Sequence, residues 1–298
     1  MKEKTVMRGC AQDRALLGVN AVLMAVFAIS IAYPLLFIVF ASFEGSSATM
    51  SLSLLPKKWT LAGYRAVAEY RWVWVGYLNS AIYTALGTVI GMVVCILAAY
   101  PLAQGDLPGH GWIMGLFLFT MYFGGGLIPT YLNIRNLGML DTLWSLVLPG
   151  AVNVYNMIVV RTYFKTQIPA EMKEAAELDG CGEWRYLLRI VLPLSVPILA
   201  VVGLYFAVGY WNSYFDAMIY IDTRAKLPLS CFLRDLLILN DSSAMTASMD
   251  PDAIVSMQER QNVMRYALIM VSSLPMFALY PFVQKYFVKG IMVGAVKG

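Results

Sequence analysis

The chain has 298 residues, of which 59% are hydrophobic and 13% charged, with a mean hydropathy of +0.66. Such a composition cannot keep its apolar surface out of water as an ordinary soluble domain, so a bilayer must be its solvent. The net charge of +4 is spread over many loops, which points to topology signals beside membrane helices and away from a nucleic-acid-binding patch.

In chain order, the tail 1–14 carries Lys2, Lys4, Arg8 and Arg14 against Glu3 and Asp13, a bias expected on the cytoplasmic side. Six runs then lack Asp, Glu, Lys and Arg: 16–43, 72–105, 111–134, 142–160, 190–215 and 266–284. Each is near or above the roughly 20 residues that cross a hydrocarbon core as a helix. Barrel strands need only about 10 alternating residues, and lipid forbids unpaired backbone in other spanning forms. The expectation is an all-α membrane protein, one domain over 1–298 with six transmembrane helices and both termini cytoplasmic. The first run is too long for a secretory h-region and no small-residue cleavage site follows it, so it is expected to stay as an anchor.

Proline and glycine fall in every run: Pro34, Pro101, Gly124-Gly125-Gly126 with Pro129, Pro149, Pro193 with Pro197, and Pro275 with Pro281. These positions predict bent or broken helices around a pathway, although neighbouring helices can also re-satisfy the freed backbone groups. An outer loop is expected over 221–265. Within it Leu229, Phe232, Leu233, Leu236 and Leu237 share one helical face, for packing on a membrane, a partner or the chain itself. Residues 240–251 lack any period, which predicts a mobile loop. Cys10, Cys95, Cys181 and Cys231 are scattered without C-x-x-C spacing, so neither a metal site nor a disulfide framework is expected.

The segment 168–192 is a charged island between two charge-free runs, and so faces water. Pro169 suits a first helical turn, Glu171 sits where a carboxylate favours the positive end of the helix dipole, and Ala175, Ala176 and Leu178 propagate the helix. Gly180 is suited to a left-handed helix end. A second short helix is expected from about Glu183 to Val191, with Pro193 and Pro197 opening the fifth span. Small alanines and free carboxylates on a helix-turn-helix suit a docking knob. The plainer reading, a loop that merely joins two spans, stands beside it on these grounds alone.

Glu174-Ala175-Ala176, then three residues to Gly180, then nine to Ile190-x-Leu192-Pro193, resembles the EAA signature of ABC importer permeases. Trp59-Thr60-Leu61 with Tyr64, Asn79-Ser80, Ala99 to Ala103, Leu137 to Thr142, and Trp211 to Phe215 extend the resemblance over nearly the whole chain, to carbohydrate-importer permeases of the maltose-permease type. Leu227-Pro228-Leu229 with Phe232-Leu233-Arg234, and Gln284 to Gly290 with Gly294, resemble the subgroup that imports oligosaccharides and polysaccharides, alginate importers included. The resemblance implies the type I ABC importer permease fold in a bacterial inner membrane. It also implies a coupling helix marked by Glu174, Ala175, Ala176, Asp179, Gly180, Ile190 and Pro193. A second homologous permease, two ATPase subunits and an extracytoplasmic solute-binding protein are the implied partners. No cofactor is expected on this chain, since it lacks a G-x-x-x-x-G-K-[ST] loop; ATP and Mg belong to the partner ATPase.

For the saccharide, side chains that stack on sugar rings and bond hydroxyls are the candidates: Tyr83, Tyr122, Trp211, Asn212, Tyr214 and Asp216. Asparagines that pair helices and aromatics in an interfacial belt would explain several of the same residues. A secondary transporter for small polar solutes is the rival that hydropathy alone does not separate. A membrane-embedded enzyme is disfavoured, because His110 is the one histidine and no H-E-x-x-H occurs.

Overall fold

The structure is a computed structural model that describes residues 11–44, 59–105, 107–238 and 251–294, without the side chains of 11–15, 237–238, 251–261, 283 and 286–294. The expectations for residues 1–10 of the tail and for most of the aperiodic stretch after Asn240 lie outside the described residues. Helices account for the regular structure among the described residues, apart from an isolated bridge between Glu44 and Trp59.

Backbone contacts divide the chain into two compact units, 1–69 with 243–271 and 70–242 with 272–298. In the first, α1 (Ala11–Ala41) is a continuous apolar helix. A short α2 (Ala62–Glu69) meets the first part of α14 (Pro251–Gly294) at Gly63, where an added Cβ would lie 2.6 Å from the Val263 carbonyl oxygen. Only glycine permits that approach. Ser42 Oγ shares a hydrogen bond with the Tyr64 hydroxyl at 2.8 Å, and Phe37 meets Tyr266 edge to face. Residues 251–265, assigned to the outer segment by their sequence, form the first turns of α14.

The second unit is organised on α3 (Arg71–Ala103). At about 1.5 Å per residue its 33 residues span about 50 Å, longer than a hydrocarbon core of about 30 Å requires. Its buried positions recur every three or four residues: Val73, Gly76, Ser80, Tyr83, Gly87, Gly91, Cys95, Ala99 and Leu102. This seam of small residues lets α7 (Val154–Gln167) and α11 (Val196–Trp211) approach closely. Phe206 and Tyr210 of α11 seat their stacked rings over Gly91 and Gly87, and the Tyr210 hydroxyl donates to the buried Val147 carbonyl at 2.8 Å.

Proline alone does not decide where helices break. α1, α3 and α14 run through Pro34, Pro101, Pro275 and Pro281. The third run does break at its glycines, into α4 (His110–Tyr122) and α5 (Leu127–Asn136), bent by 112°, with Gly126 at φ +91°. The fifth bends by 83° between Glu183–Leu194 and Val196–Trp211. Pro197 has no N–H for the Pro193 carbonyl, and its ring excludes that oxygen from a straight helix. The fourth run is divided: α6 (Trp144–Val147) ends before Pro149-Gly150, and α7 begins anew where the Asn153 side chain accepts the Asn156 N–H at 2.9 Å. So among the described residues three unbroken helices are long and apolar enough to span, or five spans if each bent pair is one crossing, and the run 142–160, the fourth of the six expected, is not one continuous helix.

A strap over 222–229 lies along the Tyr70 end of α3. Asn79 Nδ2 donates to the carbonyls of Ala225 and Leu227 at 2.8 and 3.1 Å, the Tyr83 hydroxyl to Lys226 O at 2.7 Å, and the Leu229 N–H to Ser80 Oγ at 2.9 Å. Arg224 stands over the Trp72 ring at 4.9 Å and donates to the Tyr70 hydroxyl. The amphipathic stretch beyond it is α13 (Leu229–Ile238), whose Leu229 and Phe232 are buried against α3. Its apolar face is thus turned onto its own chain.

Candidate functional site: the coupling elbow

The charged island folds as a helical elbow. Pro169 stands in extended backbone one residue before α8 (Ala170–Leu178), just outside the first turn expected for it, and Glu171 lies in that turn. At its end the Cys181 N–H donates to Ala176 O at 2.8 Å and the Gly180 N–H to Glu177 O at 2.9 Å, while Gly180 takes φ +73°. These paired bonds and the left-handed residue form a Schellman cap, which turns the chain sharply while satisfying the carbonyls the helix leaves open. α9 (Glu183–Tyr186), a π-helical turn over Leu187–Val191 and α10 (Leu192–Leu194) complete the second arm.

Ala176 alone among the α8 residues is buried; it joins a core cluster with Tyr186, Leu187, Val191, Phe164 and Leu102. Glu174, Ala175, Asp179 and Gly180 are exposed, Ile190 is half-buried, and Pro193 is exposed. The EAA positions therefore divide their work: one alanine anchors the elbow while the glutamate and the other alanine face outward. Leu178 is 90% exposed and Trp184 68% exposed, apolar side chains on an otherwise charged, water-facing segment. Both are flanked by charged residues in the sequence, Glu177 and Asp179 around Leu178 and Glu183 and Arg185 around Trp184.

A polar knot ties the two arms together. Lys173 Nζ lies 2.9 Å from Glu183 Oε1 and 3.6 Å from Glu177 Oε1, and it donates to Gln104 Oε1. Glu183 also accepts from the Tyr100 hydroxyl and, at 3.4 Å, from Gln104 Nε2. Burial works against the Lys173 ammonium, but the hydrogen bond and charge of Glu183, then those of Glu177, outweigh it and leave its pKa raised. Tyr100 and Gln104 belong to the last turn and cap of α3. Beside them, Arg161 Nε of α7 donates to Leu102 O at 2.8 Å. A cavity of about 500 Å³ opens behind α8, lined by Gln104, Phe164, Lys165, Lys173, Glu174 and Tyr186 among others.

Comparison with known proteins places this architecture. The chain is 40% identical over 267 residues to the protein LplC of Bacillus subtilis, covering 89% of each. It is 37% identical over 277 residues to the polygalacturonan/rhamnogalacturonan transport system permease protein YtcP of the same organism, covering 92% of this chain and 96% of that one. A chain in the crystal structure of a bacterial ABC transporter involved in import of the acidic polysaccharide alginate superposes with a TM-score of 0.83. That match has 31% sequence identity and covers 94% of this chain and 99% of the other. This chain belongs to the ABC sugar-transporter permeases. No protein-family model matches it. A second structure, of a bacterial alginate ABC transporter with an alginate pentasaccharide-bound periplasmic protein, shares the fold at a TM-score of 0.56 and 12% identity over 91% of this chain. The permease is thus an integral membrane protein, and this kinship favours an ABC permease over the secondary-transporter reading.

The saccharide candidates differ in burial and in how their polar atoms are engaged. Tyr83 is buried with its hydroxyl committed to Lys226 O, and Trp211 is buried with Nε1 donating to Ser272 O at 3.1 Å. Tyr122 of α4 is 82% exposed. Asn212 caps α11, its Nδ2 donating to Val208 O at 2.9 Å; Tyr214 and Asp216 are exposed around the start of α12 (Phe215–Tyr220). Desolvation by the surrounding chain pushes the Asp216 carboxyl up in pKa.

Asp141, which entered the sequence reading only as part of the Leu137 to Thr142 stretch, stands at the strap end. At φ +54°, it accepts from the Thr223 N–H at 2.9 Å, the Thr223 hydroxyl at 2.7 Å and Lys226 Nζ at 2.6 Å. Hydrogen bonding from Lys226, then from Thr223, holds its carboxyl well below the usual carboxylate range. A non-glycine residue at positive φ was the missed signal, and it is not readable from composition.

Proposed function

We propose that this permease forms part of an importer for uronate-bearing oligosaccharides or polysaccharides, with alginate as the leading substrate. The observation that carries the substrate class is the 31% identical, 0.83 TM-score match to the transporter of an acidic polysaccharide. The relative named for polygalacturonan, a second polyuronate, supports it. In this reading a second homologous permease completes the passage, an extracytoplasmic solute-binding protein delivers the saccharide, and two ATPase subunits dock on the elbow from the cytoplasm, where both termini also lie. ATP and Mg are bound and used by the ATPases, with no cofactor on this chain. The exposed Glu174, Leu178 and Trp184 would meet the ATPase. Exposed Tyr122, Asn212 and Tyr214 remain the candidates for sugar contact; Asp216 suits a polyanion poorly, whereas Tyr83 and Trp211 would shape the wall.

The test is reconstitution of the whole transporter in proteoliposomes with its solute-binding protein. Uptake of alginate oligosaccharides is expected to require ATP and to exceed uptake of neutral maltooligosaccharides, and Glu174→Arg is expected to abolish it with the subunit still inserted. Uptake driven by an ion gradient without ATP, or a cysteine at position 174 that never cross-links to an ATPase subunit, would overturn the reading.

A further inference from the structure

α8 is weakly held for an element that must transmit force. Its one buried residue is Ala176, and a cavity of about 500 Å³ lies behind it, so the helix has room to shift. Tyr100, Gln104 and Lys173 line that room, and Glu183 joins all three into one knot, meeting Lys173 of α8, Tyr100 of α3 and the α3 cap Gln104. Glu183 opens the second arm of the elbow, so this one carboxylate touches both arms and the end of the helix that organises the second unit.

We propose that Glu183, with Lys173 and Tyr100, is the positioning device that conveys displacement of the coupling helix directly into α3, in addition to the covalent route through α10 and α11. This rests on the reading of α8 as the ATPase-docking element. Magnitudes favour a mechanical role over a stabilising one. The Glu183 side chain is 55% exposed and that of Lys173 24%, and partly exposed ion pairs contribute little net stability. Such a pair adds little to holding the fold, yet charge-assisted hydrogen bonds to one carboxylate fix a direction of pull. The covalent route is poorly suited to act alone, because the chain bends by 83° at Ser195, and a bend absorbs axial displacement. The Gln104 end of α3 lies on the far side of the knot, and its shaft carries Gly87 and Gly91 against Tyr210 and Phe206. Motion entering there reaches the packed interior of the unit without passing the bend.

The experiment uses the complete reconstituted transporter, its solute-binding protein and alginate oligosaccharides as probe. Glu183→Ala and Lys173→Ala are compared with Glu183→Gln, which keeps an acceptor for Tyr100, and with the exchange Lys173→Glu plus Glu183→Lys. Three quantities are read: ATPase subunits co-purified, ATP hydrolysed, and saccharide imported per ATP. The alanine variants are expected to retain the ATPase subunits and to import at least fivefold less saccharide per ATP. Glu183→Gln should lose less than half as much on a logarithmic scale, and the exchange should recover most of the ratio. Unchanged import per ATP in Glu183→Ala, or loss of ATPase subunits in step with import, would overturn the proposal; the second result would mean the knot only holds the elbow folded. Glu174→Arg separates this from the docking reading. If that variant abolishes import while Glu183→Ala does not, docking stands and the tether falls; if neither changes import, both fall.

Discussion

Replacing Gly87 by alanine in the middle of α3 would, in an exposed helix, stabilise by about 1 kcal/mol, because alanine costs less backbone entropy. At this position the structure reverses the sign. The new Cβ would lie 2.6 Å from two atoms of the Tyr210 ring, so the ring must move. It cannot swing freely, since Tyr210 is 7% exposed, its ring stacks on Phe206 with centroids 6.4 Å apart, and its hydroxyl donates to Val147 O. Overpacking of this kind costs about 1–3 kcal/mol, and a strained hydrogen bond in the interior adds about 0.5–1.5 kcal/mol. After the propensity gain, Gly87→Ala should destabilise by about 0.5–3.5 kcal/mol and Gly87→Val by more. Thermal unfolding of the detergent-solubilised transporter, followed by tryptophan fluorescence, measures it. Gly115→Ala on α4 is the control, because nothing lies within 4 Å of its added Cβ. Gly87→Ala combined with Tyr210→Leu should recover part of the loss. A midpoint for Gly87→Ala at or above that of the parent would refute the close-packed seam.

Two further outcomes follow from backbone and charge. Gly180 holds φ +73° with no atom within 4 Å of a built Cβ, so substitution there strains the backbone alone: Gly180→Asn should keep import, whereas Gly180→Val should cost about 1–2 kcal/mol locally and abolish it, as read by ATP-driven uptake in vesicles. Asp141 has a depressed folded-state pKa through Lys226 and Thr223. Its stabilisation is therefore present above the unfolded carboxylate value of about 3.9 and declines as pH falls from there toward the folded value. Proteolysis of the 222–229 strap by an acid-active protease should accelerate as pH falls from about 4 to about 2 in the parent and depend less on pH in Asp141→Asn; equal slopes would refute the assignment.

The elbow was legible because its determinants are local. Pro169, Glu171 and Gly180 act within a few residues of themselves, and the structure places the residue before a helix, a first-turn carboxylate and a left-handed residue at those positions. The proline breaks were less legible, since a missing N–H is decisive only when its carbonyl partner finds nothing else. Pro101 sits in the last turn of α3, where its missing N–H deprives only the Leu97 carbonyl and the helix ends at once; Pro197 sits four residues after Pro193, where two prolines act on one turn and the chain bends.

The polar knot lay beyond sequence reading for a different reason. Lys173 and Glu183 look like ordinary solvated charges on a water-facing segment, and nothing within the segment says that one of them must meet a tyrosine more than eighty residues earlier. That meeting depends on α3 being long enough to reach the elbow, a consequence of its 33 residues. The seam on α3 is the intermediate case. Gly87, Gly91, Cys95 and Ala99 fall four residues apart, a small-residue spacing that marks helix contact in lipid. Which aromatic rings fill the seam follows only from the register of α11. Helix length and small-residue spacing thus specify how far α3 reaches and which face it packs, while tertiary register decides which side chains meet there.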